Sequence, residues 1–310
     1  TYPAAWLSWV ASTTGCLRVL GHDVDLVDVA GHSGYGFSLV VHDELCPSGP
    51  TSLPWGPLTE GIPSLGRTPL TFWGGIGTEG TATGQIRDHC RSAFELVSSE
   101  IARGRPCVIW GTYVPEFGIV VGVEDDAYLV QSYRANSGEE QPPIPFDQLA
   151  IPGGPYVLAF PAAVELDPDE ADRRAIVIAA AAMQARTGWP QYHTGPAAYD
   201  AWIAALENGT ADALGNSYNA HCWAEARGWA AEFASRLARR HSQVAGLAAA
   251  AKYLAIAAAA LADVAKRFPF PGNSASGVVH EAVASLAQAR DADVAATGAL
   301  VEAAAAAYGR

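Results

Sequence analysis

The sequence changes character near residue 166, and that change restricts the possible folds more than any other feature. Up to about residue 165 the chain is rich in Gly and Pro and carries short β-like runs: GFSLVVH (36–42), PLTFWG (69–74), PCVIW (106–110), FGIVVGV (117–123), YLVQSY (128–133) and YVLAF (156–160). After ELDPDEADRR, alanine with helical periodicity dominates residues 168–310, broken at RTGWPQYHTGP, ENGTADALGNS and RFPFPGNSASG. Alanine is the best helix former, and small side chains let helices pack closely. The expectation is an α+β domain over residues 1–165 and an all-α, Ala-rich domain over residues 166–310.

Two helices punctuate the first half. One is expected from Pro3 to Leu20, with Gly21 as its stop, and one from Ile86 to Arg103, stopped by Gly104. Ile86, Cys90, Phe94, Val97 and Ile101 recur at helical spacing in the second. Phe117–Val123 and Tyr128–Tyr133 read as a hairpin around the acidic turn Glu124-Asp125-Asp126, with Glu116 at the head of its first strand.

A chain of 310 residues that is 50% hydrophobic can bury a large core. Its net charge of −13 disfavours nucleic acid and anionic membranes and tolerates cationic or neutral small substrates. The five cysteines (16, 46, 90, 107 and 222) are scattered without a CxxC pair, which fits a reducing compartment. The opening TYPAAWLSW lacks a basic stretch, so no signal peptide is expected, and the sequon at Asn208 is expected to be idle. The most apolar tract, Val244–Ala265, carries Lys252 and Asp263 and reads as a buried helix instead of a membrane span. Together these features predict a soluble, cytoplasmic protein.

Several segments could carry chemistry, and each has a plainer reading. Gly75, Gly77 and Gly80 match G-x-G-x-x-G, but no helix opens at once and the acid at the expected distance, Glu95, falls inside a helix, so a loop is expected. HDELCPSGPTSLPW (42–55) is either a solvated loop or a site wall. As a wall, His42 would shuttle protons, Asp43 or Glu44 would orient it, and Ser48 and Cys46 would contact substrate. Cys16 sits late in the first helix, where the dipole does not help a thiolate, and reads more readily as a buried structural cysteine than as a nucleophile. In YNAHCWAEARGWAAEF (218–233), Tyr218, Cys222, Glu225 and Trp229 share a helical face with Arg227 on the opposite side, and His221 can meet Glu225. That pair alone has too few ligands for a metal, and no metal or cofactor is expected. Tyr192 and His193, in the aromatic stretch 188–202, either plug a seam or cap a ligand cleft.

The order of these pieces resembles the C39-like, papain-like bacterial family, in particular proteins similar to the N-terminal domain of butirosin biosynthesis protein H. The resemblance is carried by a first helix ending in CLRVLG, by VDLVDVAGHSGYGF, by the long loop 43–70, by GRPCVIWG and by the EFGIVVGVEDDAYLVQSY hairpin. It covers about half the chain and implies a papain-like (C39-like) domain with a central antiparallel sheet and a helical extension. In that family a nucleophilic Cys begins the first helix, a His heads the long hairpin strand, and an Asp or Asn ends the next strand. The corresponding positions here fall near Ser8, at Glu116 and near Ser132.

All three positions depart from the family pattern, and three functions of different kind follow, of which the resemblance directly implies the second. One is an acid–base enzyme of bacterial natural-product (antibiotic) biosynthesis with Glu116 as base, its pKa raised by partial desolvation, assisted by His42 or Asp43. It would act on an amine-bearing small molecule, free or carrier-bound, by elimination or intramolecular displacement. His32, Tyr35, Trp73 and Tyr113 join Ser8, Cys46, Ser48, Ser132, Tyr192 and His193 as candidate substrate contacts. A second is a thiol-dependent amide hydrolase or acyltransferase using Cys16 or Cys46. A third is a catalytically silent scaffold that binds a ligand or supports a partner protein, its helical half offering a homodimer contact or a protein-binding face.

Overall fold

The computed structural model describes residues 1–75, 83–151, 154–272 and 277–308, and the chain is α+β. Helices α1 (Ser8–Val19) and α2 (Leu26–His32) precede β1 (Val40–His42), α3 (Trp55–Leu58), β2 (Leu70–Trp73) and α4 (Thr83–Ile101). Strands β3 (Cys107–Trp110), β4 (Phe117–Glu124) and β5 (Ala127–Gln131) lead through α5 (Arg134–Ser137) to β6 (Ile144–Pro145) and β7 (Tyr156–Ala159). The C-terminal region is helical: α6 (Pro168–Gln184), then β8 (Tyr192–Thr194), α7 (Gly195–Asn208), α8 (Ala213–Arg240), α9 (Leu247–Arg267) and α10 (Val279–Ala307). Gly77 and Gly80 of the glycine-rich stretch lie outside the described residues.

Two compact units form, residues 1–29 with 65–166 and residues 30–64 with 167–310. One break falls at Leu166/Asp167. Asp167 accepts hydrogen bonds from the backbone of Asp169 and Glu170, with Pro168 at the first helical position, so α6 starts with a proper cap. Residues 30–64 differ from the sequence expectation, because they belong with the helices. The cause is non-local pairing. β1 forms an antiparallel ribbon with β8, Trp223 Nε1 on α8 donates to the Val40 carbonyl at 3.0 Å, and Asn219 Nδ2 donates to the carbonyls of Leu45 (3.3 Å) and Cys46 (3.0 Å).

The first unit is built on an antiparallel sheet of order β2-β7-β3-β4-β5-β6. Its central strands are buried on both faces, which explains their continuous apolar runs. Side chains alternate along them. Cys107, Ile109, Val120, Val157 and Ala159 pack with Ala93 and Val97 of α4. On the alternate positions, Ile119 meets Gly15 of α1, where an added Cβ would run into its side chain. α1 starts later than its sequence suggests, since Leu7 is extended and caps the helix with no side-chain hydrogen bond.

In the second unit α9 packs between α8 and α10. Among the described residues α9 alone is long and apolar enough to cross a membrane, and its Leu247, Leu254, Leu261 and Val264 stripe is buried in the helical packing. A fully buried charge pair sits in this unit. Arg227, on the side of α8 opposite Tyr218, Cys222, Glu225 and Trp229, is 1% exposed and pairs with Asp293 of α10 at 2.8 Å. Its Nη1 donates to the Gly36 carbonyl at 2.8 Å, and Tyr199 donates to Asp293 at 2.6 Å. Burial pushes the Asp293 carboxyl up from its ordinary value, while Asp293 holds the guanidinium charged; arginine keeps its proton, so the pair is ionic.

Candidate functional site

The first unit brings Ser8 and Glu116 together across 108 residues of sequence. Ser8 opens α1, and its Oγ donates to a carboxylate oxygen of Glu116 while accepting the Phe117 N–H at 3.0 Å. A tight turn fixes the Glu116 backbone. The N–H groups of Gly111 and Thr112 donate to the Glu116 carbonyl at 2.9 and 3.0 Å, and Glu116 N–H donates to the Val114 carbonyl at 2.6 Å. Within that turn Gly111 has φ +90° and Tyr113 φ +63°, a conformation a tyrosine adopts at a cost.

Electrostatics explain why a carboxylate suits this place. The first turn of α1 holds no acidic residue and has no side-chain cap, so its backbone N–H groups need an acceptor. Glu116 brings negative charge to the positive end of the helix from a distant strand. Ser8 is 5% exposed and Glu116 is half-buried. Phe117 is anchored on Trp110 and Tyr156, with ring centroids 4.7 and 6.0 Å away, so the strand carrying Glu116 has a rigid footing.

Other predicted residues of this unit have structural partners. Ser132 is fully buried, and its N–H (2.7 Å) and Oγ (3.2 Å) both donate to Gln141 Oε1, a residue the sequence did not signal. Tyr113 donates to the Pro142 carbonyl at 2.9 Å beneath the Arg134 guanidinium. Trp73 is 67% exposed on strand β2. Cys16 is sealed in the core, where burial drives its thiol well above the ordinary range. A thiol so buried is poorly placed to act as a nucleophile while the chain is folded.

The second unit gathers six of the expected residues on the β1–β8 ribbon and the loop after β1. His42 pairs with Tyr192 across the ribbon, their rings 5.2 Å apart edge to face, and His42 Nδ1 accepts the Glu44 N–H at 3.1 Å. Asp43 meets His193 Nε2 at 2.6 Å. Ser48 Oγ lies 2.7 Å from the Tyr192 hydroxyl and 3.0 Å from Cys46 Sγ. Asp43 therefore orients His193, and His42 has a different set of neighbours from the one its sequence position suggested. Tyr192 and His193 line an open cleft of about 920 Å³, with Trp189 half exposed at its wall.

His32 and Tyr35 are core residues of this unit. The His32 ring packs edge-on against Phe233 with centroids 5.0 Å apart, and burial lowers its pKa to about 4. Tyr35 donates to the Pro50 carbonyl at 2.5 Å. Both were expected as substrate contacts, and both side chains are buried. Among the described residues no group of three or more His, Cys, Asp or Glu is placed to hold a metal ion. Chemically, the first centre offers a carboxylate with a hydroxyl fixing it, and the second offers a His–Asp pair beside a cleft. No protein-family model matches the chain, and no curated protein matches it.

Proposed function

We propose that the chain is a small-molecule-modifying enzyme on a papain-like scaffold, in which Glu116 accepts a proton from an amine-bearing substrate and Ser8 fixes the carboxylate. The observation that carries this reading is the Ser8–Glu116 hydrogen bond. It joins the two positions where the resemblance puts nucleophile and base, and in this chain they are a hydroxyl and a carboxylate. With its proton removed, the amine nitrogen displaces a leaving group within the same molecule, and the leaving group departs with the bonding electrons. Such a step needs no covalent enzyme intermediate, which suits a site without a reactive thiol. A cytoplasmic role in bacterial natural-product biosynthesis belongs to the same reading and rests on the resemblance alone.

Ser8 both donates to Glu116 and accepts from Phe117, so the contact also favours a second reading, a structural clasp in a scaffold that supports a partner. The two readings separate on turnover. The protein is incubated with a panel of amine-bearing metabolites, and mass spectrometry reads cyclised or eliminated products. Conversion of a panel member by the wild type and its loss on Glu116→Gln supports the enzyme; conversion unaffected by the substitution overturns the role of Glu116.

A further inference from the structure

Beside the cleft of the helical unit lies a small recess whose polar groups are incompletely used. The recess, about 10 Å³, shares Met183, Gly195, Pro196 and Thr297 with the cleft and is lined also by Arg227 and Asp293. That volume suits one water-sized group. Arg227 spends Nη1 on the Gly36 carbonyl and Nη2 on Asp293 Oδ2, and Tyr199 also donates to Oδ2. Two buried atoms remain without a protein partner: Arg227 Nε, a donor, and Asp293 Oδ1, an acceptor. Both side chains are more than nine-tenths buried, at 1% and 4% exposure. An unsatisfied buried polar atom costs about 1–3 kcal/mol, so an ion pair with one donor and one acceptor unused beside a recess calls for a group that both accepts and donates. A hydroxyl does both. A carboxylate would face Asp293, and an ammonium would face Arg227.

The mouth of the cleft adds a second requirement. Trp189, half exposed, stands edge to face with Tyr192 at 6.0 Å and presents an aromatic surface, while the Tyr192 hydroxyl is held by Ser48. Aromatic wall and hydroxyl-accepting floor together suit a saturated ring with a C–H face and hydroxyl edges. We propose that the cleft of the helical unit binds a small polyhydroxylated ring compound, a sugar or cyclitol, with one hydroxyl entering the Arg227–Asp293 recess and the ring face on Trp189. This site stands apart from the chemistry assigned to Glu116.

The test uses methyl β-glucopyranoside, its monodeoxy analogues and the intact protein, read by saturation-transfer NMR. The expected result is binding of the parent glycoside, with one deoxy analogue at least about tenfold weaker because the recess loses its partner. Asp293→Asn gives an independent reading. Arg227 and Tyr199 both donate to Oδ2, so the amide oxygen takes that position and the NH₂ takes the place of Oδ1, replacing an acceptor by a donor. The folded variant should bind about tenfold more weakly. Trp189→Ala, at an exposed position, should weaken every analogue alike. No binding of the glycoside, equal affinity for all deoxy analogues, or unaltered binding by folded Asp293→Asn would overturn the proposal. If Asp293→Asn does not fold, the deoxy series on the wild type decides.

Discussion

Acid should weaken the helical unit through His32. Burial lowers this imidazole from its ordinary 6.5 to about 4, with the Asp172 carboxylate opposing that shift and the Arg240 guanidinium adding to it. The unfolded chain therefore takes up a proton at a higher pH than the folded one. The stability tied to a neutral His32 is complete above about pH 6.5 and is lost as pH falls toward about 4. The gap between the two values corresponds to about 3 kcal/mol in full, of which about 2 kcal/mol is gone by pH 5. Asp172 does not confuse this window. Burial raises its carboxyl, hydrogen bonds from Arg240 and His241 outweigh that, and its contribution fades only below its ordinary 3.8. His22 and His221 are also lowered by burial, so the wild-type slope contains their shares. Urea unfolding by circular dichroism at about pH 7.5 and about pH 5, on wild type and His32→Leu, isolates the term. The variant is expected to lose about 2 kcal/mol less than wild type between the two conditions. An identical loss in both proteins would refute the reasoning.

Asp293→Ala strands a buried guanidinium and should cost about 3–5 kcal/mol in urea unfolding, while replacing Arg227, Asp293 and Tyr199 together by Met, Leu and Phe should return most of that loss. Gly215→Ala should cost about 1–3 kcal/mol, because the new Cβ runs into the Leu45 carbonyl oxygen where α8 meets the loop after β1. Iodoacetamide labelling of the native protein, mapped by peptide, should modify Cys46, which is partly exposed, and spare Cys16, Cys90, Cys107 and Cys222, which are buried. Burial pushes the Cys107 thiol up to about 12, so raising the pH to about 9 should not expose it to labelling without unfolding.

Local signals in the sequence located the elements whose residues decide their own structure. The hairpin around Glu124-Asp125-Asp126 was legible because two apolar runs flank a turn, and β4 and β5 form there. The alternation of composition at residue 166 marked α6, whose Asp-Pro start is a helix signal in itself. What the sequence could not convey was pairing at a distance. Tyr192–Thr194 looked like a loop between Pro190 and Pro196, and it is a strand because Val40–His42 lies beside it. The same ribbon carried residues 30–64 into the helical unit. The burial of Arg227 was not legible because an alanine-rich helix gives little contrast between its faces, and the residue that stabilises it, Asp293, comes 66 positions later. At the candidate site the family resemblance supplied Ser8 and Glu116 as positions of interest, while their hydrogen bond is a product of the fold. Trp189 stood in the aromatic stretch already singled out, whereas Gln141 and Asp293 carried no sequence signal that marked them.

The rate of Glu116→Gln relative to wild type, on a substrate drawn from the amine panel and with folding matched by circular dichroism, tests the account most directly. A proton acceptor predicts a loss of about a hundredfold or more in kcat, with Ser8→Ala losing about tenfold because the carboxylate remains but is no longer held. Turnover by Glu116→Gln at the wild-type rate would contradict it and leave Ser8 and Glu116 as a clasp between a helix and a strand.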